Sequence, residues 1–190
     1  MSYCNQTLAG ISLDCNQNMG GIKTVWLANY NDVLDFAYDD KTGIVTGLTM
    51  ADEVDSKGEK TGKKTTFKPY QFRRGTSSMT STLTADETNG LSFTTTEVSL
   101  VFTKMDTSKR LEMSAIALGQ LAVIVLDNNG TYWYITTSDY ASASSGVGES
   151  GAAKTDRNAY TLVLTSENTD YPYEITKEAV EAALKAEVEE

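Results

Sequence analysis

Histidine is absent from this sequence of 190 residues. Its absence removes Ser-His-Asp and Cys-His nucleophilic catalysis, imidazole metal ligation and histidine pH switching together. Cysteine is scarce, with only Cys4 and Cys15. Two thiols are too few for a metal cage, and without histidine a zinc site would need carboxylates. The opening Met-Ser-Tyr-Cys-Asn-Gln has no basic region and no apolar stretch, so a secretory signal is not expected. The thiols are then expected to be reduced, with a disulfide closing an N-terminal loop as the alternative. No apolar run approaches the roughly 18 residues of a membrane-crossing helix, and no membrane partner is expected. Positive charge is also in deficit: 16 basic against 26 acidic residues give −10, a poor balance for wrapping a phosphate backbone. These absences point away from an enzyme, a resident metal or cofactor, and a DNA reader.

What is present describes a β-rich chain. Apolar residues are 40% and charged residues 22%, enough for one domain with a real core. Fourteen glycines, ten tyrosines and two prolines, with abundant Ser and Thr, fit strands punctuated by turns. Strands are expected over 22–28, 33–38 and 44–50, with turns at Asn29–Asp32 and Asp40–Gly43. Residues 51–64 read as a long polar loop or hairpin tip. Extended structure resumes over 65–74, where Pro69 argues for an edge or a bulge. The Asn89-Gly90 pair predicts a hairpin with arms near 77–84 and 91–104. Leu111, Ala115 and Leu118 fall at i, i+4, i+7, so the spacing predicts a helix over about 107–118, capped by Asp106 or Thr107 and stopped at Gly119. The apolar arms 121–126 and 131–137 predict the core hairpin. Residues 138–155, rich in Ser, Gly and Ala, read as a mobile loop, and 160–164 as a last strand. An acidic helix is expected over about 176–189, with Val180, Leu184 and Val188 as its stripe. The expected organisation is a β-rich domain over 1–175, carrying a long basic loop at about 51–68, followed by an acidic helix over 176–190.

No segment carries a catalytic signature. Gly20-Gly21 and Gly146-Val147-Gly148 lack the strand–loop–helix frame and the Gly-Lys-Ser/Thr of a phosphate loop. Acids cluster at Asp39-Asp40, Asp52-Glu53-Val54-Asp55 and Asp86-Glu87. Held about 5–10 Å apart across a cleft, such acids would suit glycoside hydrolysis; in turns they read as solvated. Nor does the 52–59 spacing match a calcium loop. Trp26, Trp133 and the tyrosines would suit either a carbohydrate platform or, as their alternation within apolar strands favours, the core.

Charge distribution says more. Lys57, Lys60, Lys63, Lys64, Lys68, Arg73 and Arg74 stand against Glu59 alone within 57–74. Residues 167–190 carry eight acids against Lys177 and Lys185. The bland reading is a solvated loop and a solvated tail. The sharper one is self-assembly, with the basic extension of one subunit meeting an acidic surface of the next. The hairpin from Ser77 to Thr96 is also polar on both faces, with Thr80, Thr82, Thr84, Thr94 and Thr96 beside Asp86 and Glu87. Strands of that kind either stand in solvent or line a water-filled lumen that a polyanion would traverse without sticking.

Cys15-Asn16 with Gly20-Gly21-Ile22-Lys23-Thr24-Val25-Trp26-Leu27-Ala28-Asn29 resembles a class of virion tail protein of tailed bacteriophages. So do Val123-Ile124-Val125-Leu126-Asp127-Asn128-Asn129-Gly130-Thr131-Tyr132-Trp133, Gly151 and Asp156-Arg157-Asn158-Ala159-Tyr160-Thr161-Leu162. The element order over roughly 11–175 is similar to the tail-tube fold that phage tails share with secretion-system tubes. The resemblance implies a mainly β fold, a β-sandwich or barrel-like domain with one packed helix. It also implies hexameric rings stacked into a tube, with the 57–74 region contacting the next ring. DNA would pass transiently through the lumen. Partners would be further copies of the chain and other tail proteins such as the tape-measure and terminator proteins. The place of action would be the virion tail, assembled in the host cytoplasm. An adaptor, tail-completion or decoration protein, or an adhesin-like carbohydrate-binding module, is the alternative.

Overall fold

The computed structural model describes residues 10–13, 15–86 and 88–185, so Cys4, Glu87, Val188 and Glu189 lie outside the described residues. The strands are β1 (Ile22–Asn29), β2 (Val33–Tyr38), β3 (Val45–Met50), β4 (Asp52–Val54), β5 (Lys60–Lys64), β6 (Lys68–Gln71), β7 (Ser78–Asp86) and β8 (Leu91–Thr103). Helix α1 (Thr107–Ala117) follows, then β9 (Leu121–Asp127), β10 (Tyr132–Tyr134), β11 (Ala141–Glu149), β12 (Ala159–Asn168) and β13 (Tyr173–Glu174), and helix α2 (Lys177–Ala183). The fold is mainly β, as composition and turn chemistry predict.

Strand β9 organises it. Leu121-Ala122-Val123-Ile124-Val125 are all buried, because the strand is covered on both faces. A strand with only one buried face would alternate; one with two reads as a continuous apolar run. Antiparallel β1 lies along one edge of β9, and β10 followed by β11 along the other. On one face Leu121, Val123 and Val125, with Val25 and Leu27 of β1, pack against Val98 and Leu100 of β8 and Leu162 and Leu164 of β12. On the opposite face Ala122 and Ile124 pack with Val45, Met50 and Phe67, under Ala179, Val180 and Ala183 of α2. The result is a layered β-sandwich whose middle ribbon is β1–β9. The large sheet runs β13-β10-β9-β11-β12-β8-β7, and no closed barrel forms among the described residues. Pro69 sits in β6, which pairs with β1 alone, so the proline occupies an edge as expected.

Two helices are capped by the side chains the sequence offers. Asp106 accepts a hydrogen bond from the Lys109 N–H at 2.9 Å, and Thr176 from the Ala179 N–H at 3.3 Å. The buried face of α1 is not the expected one. Ile116 is buried and Met113 packs on the core, whereas Leu111, Ala115 and Leu118 face solvent. Their stripe is real but turned outward, because the covering sheet lies on the Met113–Ile116 side.

Residues 51–64 take the hairpin form of their two expected forms, whereas the loop expected over 138–155 contains a strand. Residues 51–64 hold the β4–β5 hairpin, closed by Asp55, whose Oδ1 accepts from the Lys57 and Glu59 N–H groups at 2.8 and 2.9 Å. Residues 141–149 of the expected mobile loop form β11, paired with β12 from Ala141↔Ser166 to Glu149↔Ala159 with a bulge between Ala143 and Ser145. Ser and Gly have low strand propensity, and the ladder to β12 overrides it. The strand expected to be last, 160–164, runs over 159–168 as β12 because its polar end is buried as well, and the short β13 follows it.

Candidate assembly surfaces

Among the described residues the sheet β11-β12-β8-β7 is open at both sides. Among those residues β7 pairs only with β8, and from Ser142 onward β12 is the one strand partner of β11. Thr80, Thr82 and Thr84 share the outer face of β7 and are exposed. Opposite Thr80 stands Glu97, itself paired with Thr165, and opposite Thr82 stands Thr95, paired with Glu167. This face is hydroxyl-rich and mildly acidic, as a surface that polyanions should not adhere to would be.

Thr94 and Thr96 correct the sequence reading. Both lie on the inner face, 0% and 1% exposed, in line with Val98 and Leu100, so they cannot line a lumen. Ser81 is hydrogen-bonded to Thr96 at 2.9 Å, while the Thr94 hydroxyl has no partner among the described residues. Ser166 and Asn168 stand opposite them on β12 and are buried as well. A strand polar on both faces thus has a third outcome besides solvent and lumen, a buried hydrogen-bonded layer. Asp86 closes the hairpin turn: its carboxylate accepts from the Thr88 N–H, the Asn89 N–H and Asn89 Nδ2. Those bonds, the Asn89 side-chain bond foremost, hold its carboxyl below the usual range. Glu87 lies outside the described residues.

The seven basic residues do not form one patch. Lys57, Lys60, Lys63 and Lys64 belong to the β4–β5 hairpin and its turn. Lys63, Lys64 and Lys68 line a cleft of about 460 Å³ that also holds Asp32, Glu53 and Glu112. Arg73 and Arg74 follow β6 at its far end, where Arg74 lines a separate hollow with Lys23 and Phe72. Asp52 sits 2.5 Å from Lys60 Nζ and 2.7 Å from Lys64 Nζ. The hydrogen bonds from these two lysines lower its carboxyl from 3.8 to about 2. A folded-state value below the unfolded one means that the stabilisation is complete above about 3.8 and is lost as pH falls through about 2. We expect a carbon-13 titration of the Asp52 carboxyl to show a midpoint near 2, and Lys64→Gln to raise it. An unchanged midpoint in that variant would show that Lys64 does not hold the carboxylate.

Of the aromatic candidates Trp26, Trp133 and Tyr134 are used internally, whereas Tyr38, Tyr140 and Tyr171 are exposed. Trp26 stacks on Tyr132 with ring centroids 5.9 Å apart, and Trp133 Nε1 donates to Asp127 at 3.2 Å. Burial pushes the Tyr134 hydroxyl up to about 12. Tyr70 is raised too, by burial and then by its hydrogen bond to Glu112 in the cleft under the hairpin. Among the described residues no three Cys, Asp or Glu side chains gather as metal ligands.

Sequence reasoning missed two features. One is the groove between α1 and β11, built by the strand that read as a loop. The other is the segment before β1, where Ile11 is 103% and Leu13 92% exposed. Its signal was legible in the alternation Ile11-Ser12-Leu13-Asp14-Cys15. No family model, no curated protein and no solved structure matches this chain.

Proposed function

We propose that the chain is a non-enzymatic structural subunit that assembles with copies of itself into rings, stacked as a tube of the phage-tail type. The observation that carries this reading is the open sheet β11-β12-β8-β7, which among the described residues leaves two long strand edges unpaired. Exposed edges of this length template pairing with another chain unless they are blunted. β7 lacks the usual blunting devices, since Ser78–Asp86 contains no Lys and no Pro. Its exposed hydroxyl face suits a polar conduit. Further copies of the chain are the principal partner in this reading, with other tail proteins at the tube ends and DNA as transient cargo.

The test is light scattering with negative-stain imaging across protein concentration. Rings or stacked rings are expected. Replacing Thr80, Thr82 and Thr84 together by Lys should keep the monomer folded, because exposed positions change stability by about 0.5 kcal/mol or less each. It should also abolish rings by putting like charges along the β7 edge. A strictly monomeric wild-type protein at every concentration would overturn the reading in favour of a monomeric binding module.

A further inference from the structure

We propose that residues 10–15 of one copy add as a strand to the open edge of β11 in a second copy, in the groove between β11 and α1. This rests on the self-assembly reading and names which segment covers one of the two open edges.

The donor segment has the pattern of a strand without a sheet. Ile11, Leu13 and Cys15 alternate with Ser12 and Asp14, so in extended form one face is apolar and the other polar. Ile11 and Leu13 are 103% and 92% exposed, and Cys15 is exposed. The base of the segment is fixed. Met19 N–H donates to Asn129 Oδ1 at 2.8 Å, and Asn129 Nδ2 donates to Asn18 Oδ1 at 2.9 Å.

The receiving groove has a volume of about 380 Å³. Met113 and Ala117 of α1 form one wall, Gly146 and Gly148 of β11 the other, and Leu162 lies in the floor. The missing side chain at Gly146 opens the space, since a Cβ added there would meet only Leu162 Cδ1 at 3.7 Å and the Thr161 carbonyl at 3.9 Å. At Gly148 the Tyr160 ring fills the place, with Cε1 2.9 Å from an added Cβ. An incoming strand would find unpaired backbone groups along β11 and an apolar surface for alternate side chains, the two requirements of strand addition.

The topology places the donor and its own groove apart. The segment leaves the sheet where Ile22 pairs with Asp127, whereas β11 meets β9 at the other end, Leu121, and runs on away from it. From Asp127 to Gly146 the path along the sheet is about 35 Å at strand rise. Met19 to Ile11 spans at most about 28 Å when fully extended. A second copy has no such limit.

The experiment uses the full chain with Cys4→Ser, leaving Cys15 as the native thiol. Arg110→Cys and Ala117→Cys are added separately, one at each end of the helix wall, and mild oxidation is followed by non-reducing electrophoresis. Disulfide-linked species of dimer mass and above are expected from at least one of them, and not from Thr82→Cys on β7. Ile11→Ser with Leu13→Ser should reduce the linked species about tenfold or more by removing the apolar anchors. Gly146→Val should do the same; the Cβ it adds meets only an ordinary contact at Leu162 Cδ1, and the Tm is measured alongside to show that the variant stays folded. Crosslinking at monomer mass, or through Thr82→Cys instead, overturns the proposal. So does no crosslink at concentrations where scattering shows association, and that result leaves the assembly reading standing. A protein that stays monomeric overturns both.

Discussion

Ile124→Ala and Val123→Ala, made separately, should each lower the unfolding free energy substantially, by about 2–4 kcal/mol for Ile124 and about 2 kcal/mol for Val123. Both side chains are 0% exposed, yet they belong to different cores. Val123 faces the layer of β8 and β12; Ile124 faces α2 and the β2–β3 hairpin. In a strand with one wet face, only one of two neighbours would matter. Urea denaturation should show both midpoints falling with little change in slope, whereas Leu118→Ala, at a residue 93% exposed, should stay within about 0.5 kcal/mol. If either core substitution is silent, that face of β9 is not covered, and the layered arrangement is wrong.

Asn168→Ala should cost about 2–3 kcal/mol. Its side chain is 4% exposed and ties the strand end to the 137–139 loop. Asn168 Oδ1 accepts from the Ser138 N–H at 2.9 Å, the Asp139 N–H at 3.2 Å and the Ser138 hydroxyl at 3.2 Å. Nδ2 donates to Ser166 Oγ at 2.8 Å. Truncation leaves these groups seeking partners at the margin of the core, which costs more than one hydrogen bond is worth. Amide exchange localises the effect: protection at Ser138 and Asp139 should fall well before that of β9. Opposite Asn168 in the ladder, Thr94→Val should have the reverse sign. The Thr94 hydroxyl is buried without a partner among the described residues, so an apolar group of the same shape should be neutral or stabilising. A destabilised Thr94→Val, or unchanged exchange at Ser138 in Asn168→Ala, would mean that the hydrogen bonds of this layer are wrongly assigned.

These effects mark where sequence reasoning succeeds. Turn chemistry is local: Asn-Gly pairs, Asp caps and Asx turns act within four residues, so the 86–90 and 127–130 turns and both helix starts were legible. The apolar run 121–125 was legible as core for the same reason, since no surface strand carries five such residues in succession. Neither open edge was visible, because an edge is defined by the absence of a neighbour.

What the sequence by itself determined is the β-rich class, the position of most strands, two candidate caps for the first helix, of which Asp106 serves, and the absence of imidazole chemistry. Tertiary structure decided which face of each element is inside. Helix α1 carries apolar residues on two arcs, Leu111–Ala115–Leu118 and Met113–Ile116, and only the sheet beneath it selects the second. Strand β8 carries threonine on both faces, and only the layer opposite determines that Thr94 and Thr96 are buried while Thr80, Thr82 and Thr84 on β7 are not. Strand β11 exists because β12 supplies a ladder that Ser and Gly do not demand. Periodicity records that a side chain can be buried; burial itself requires a surface to cover it, and that surface comes from residues distant in the chain.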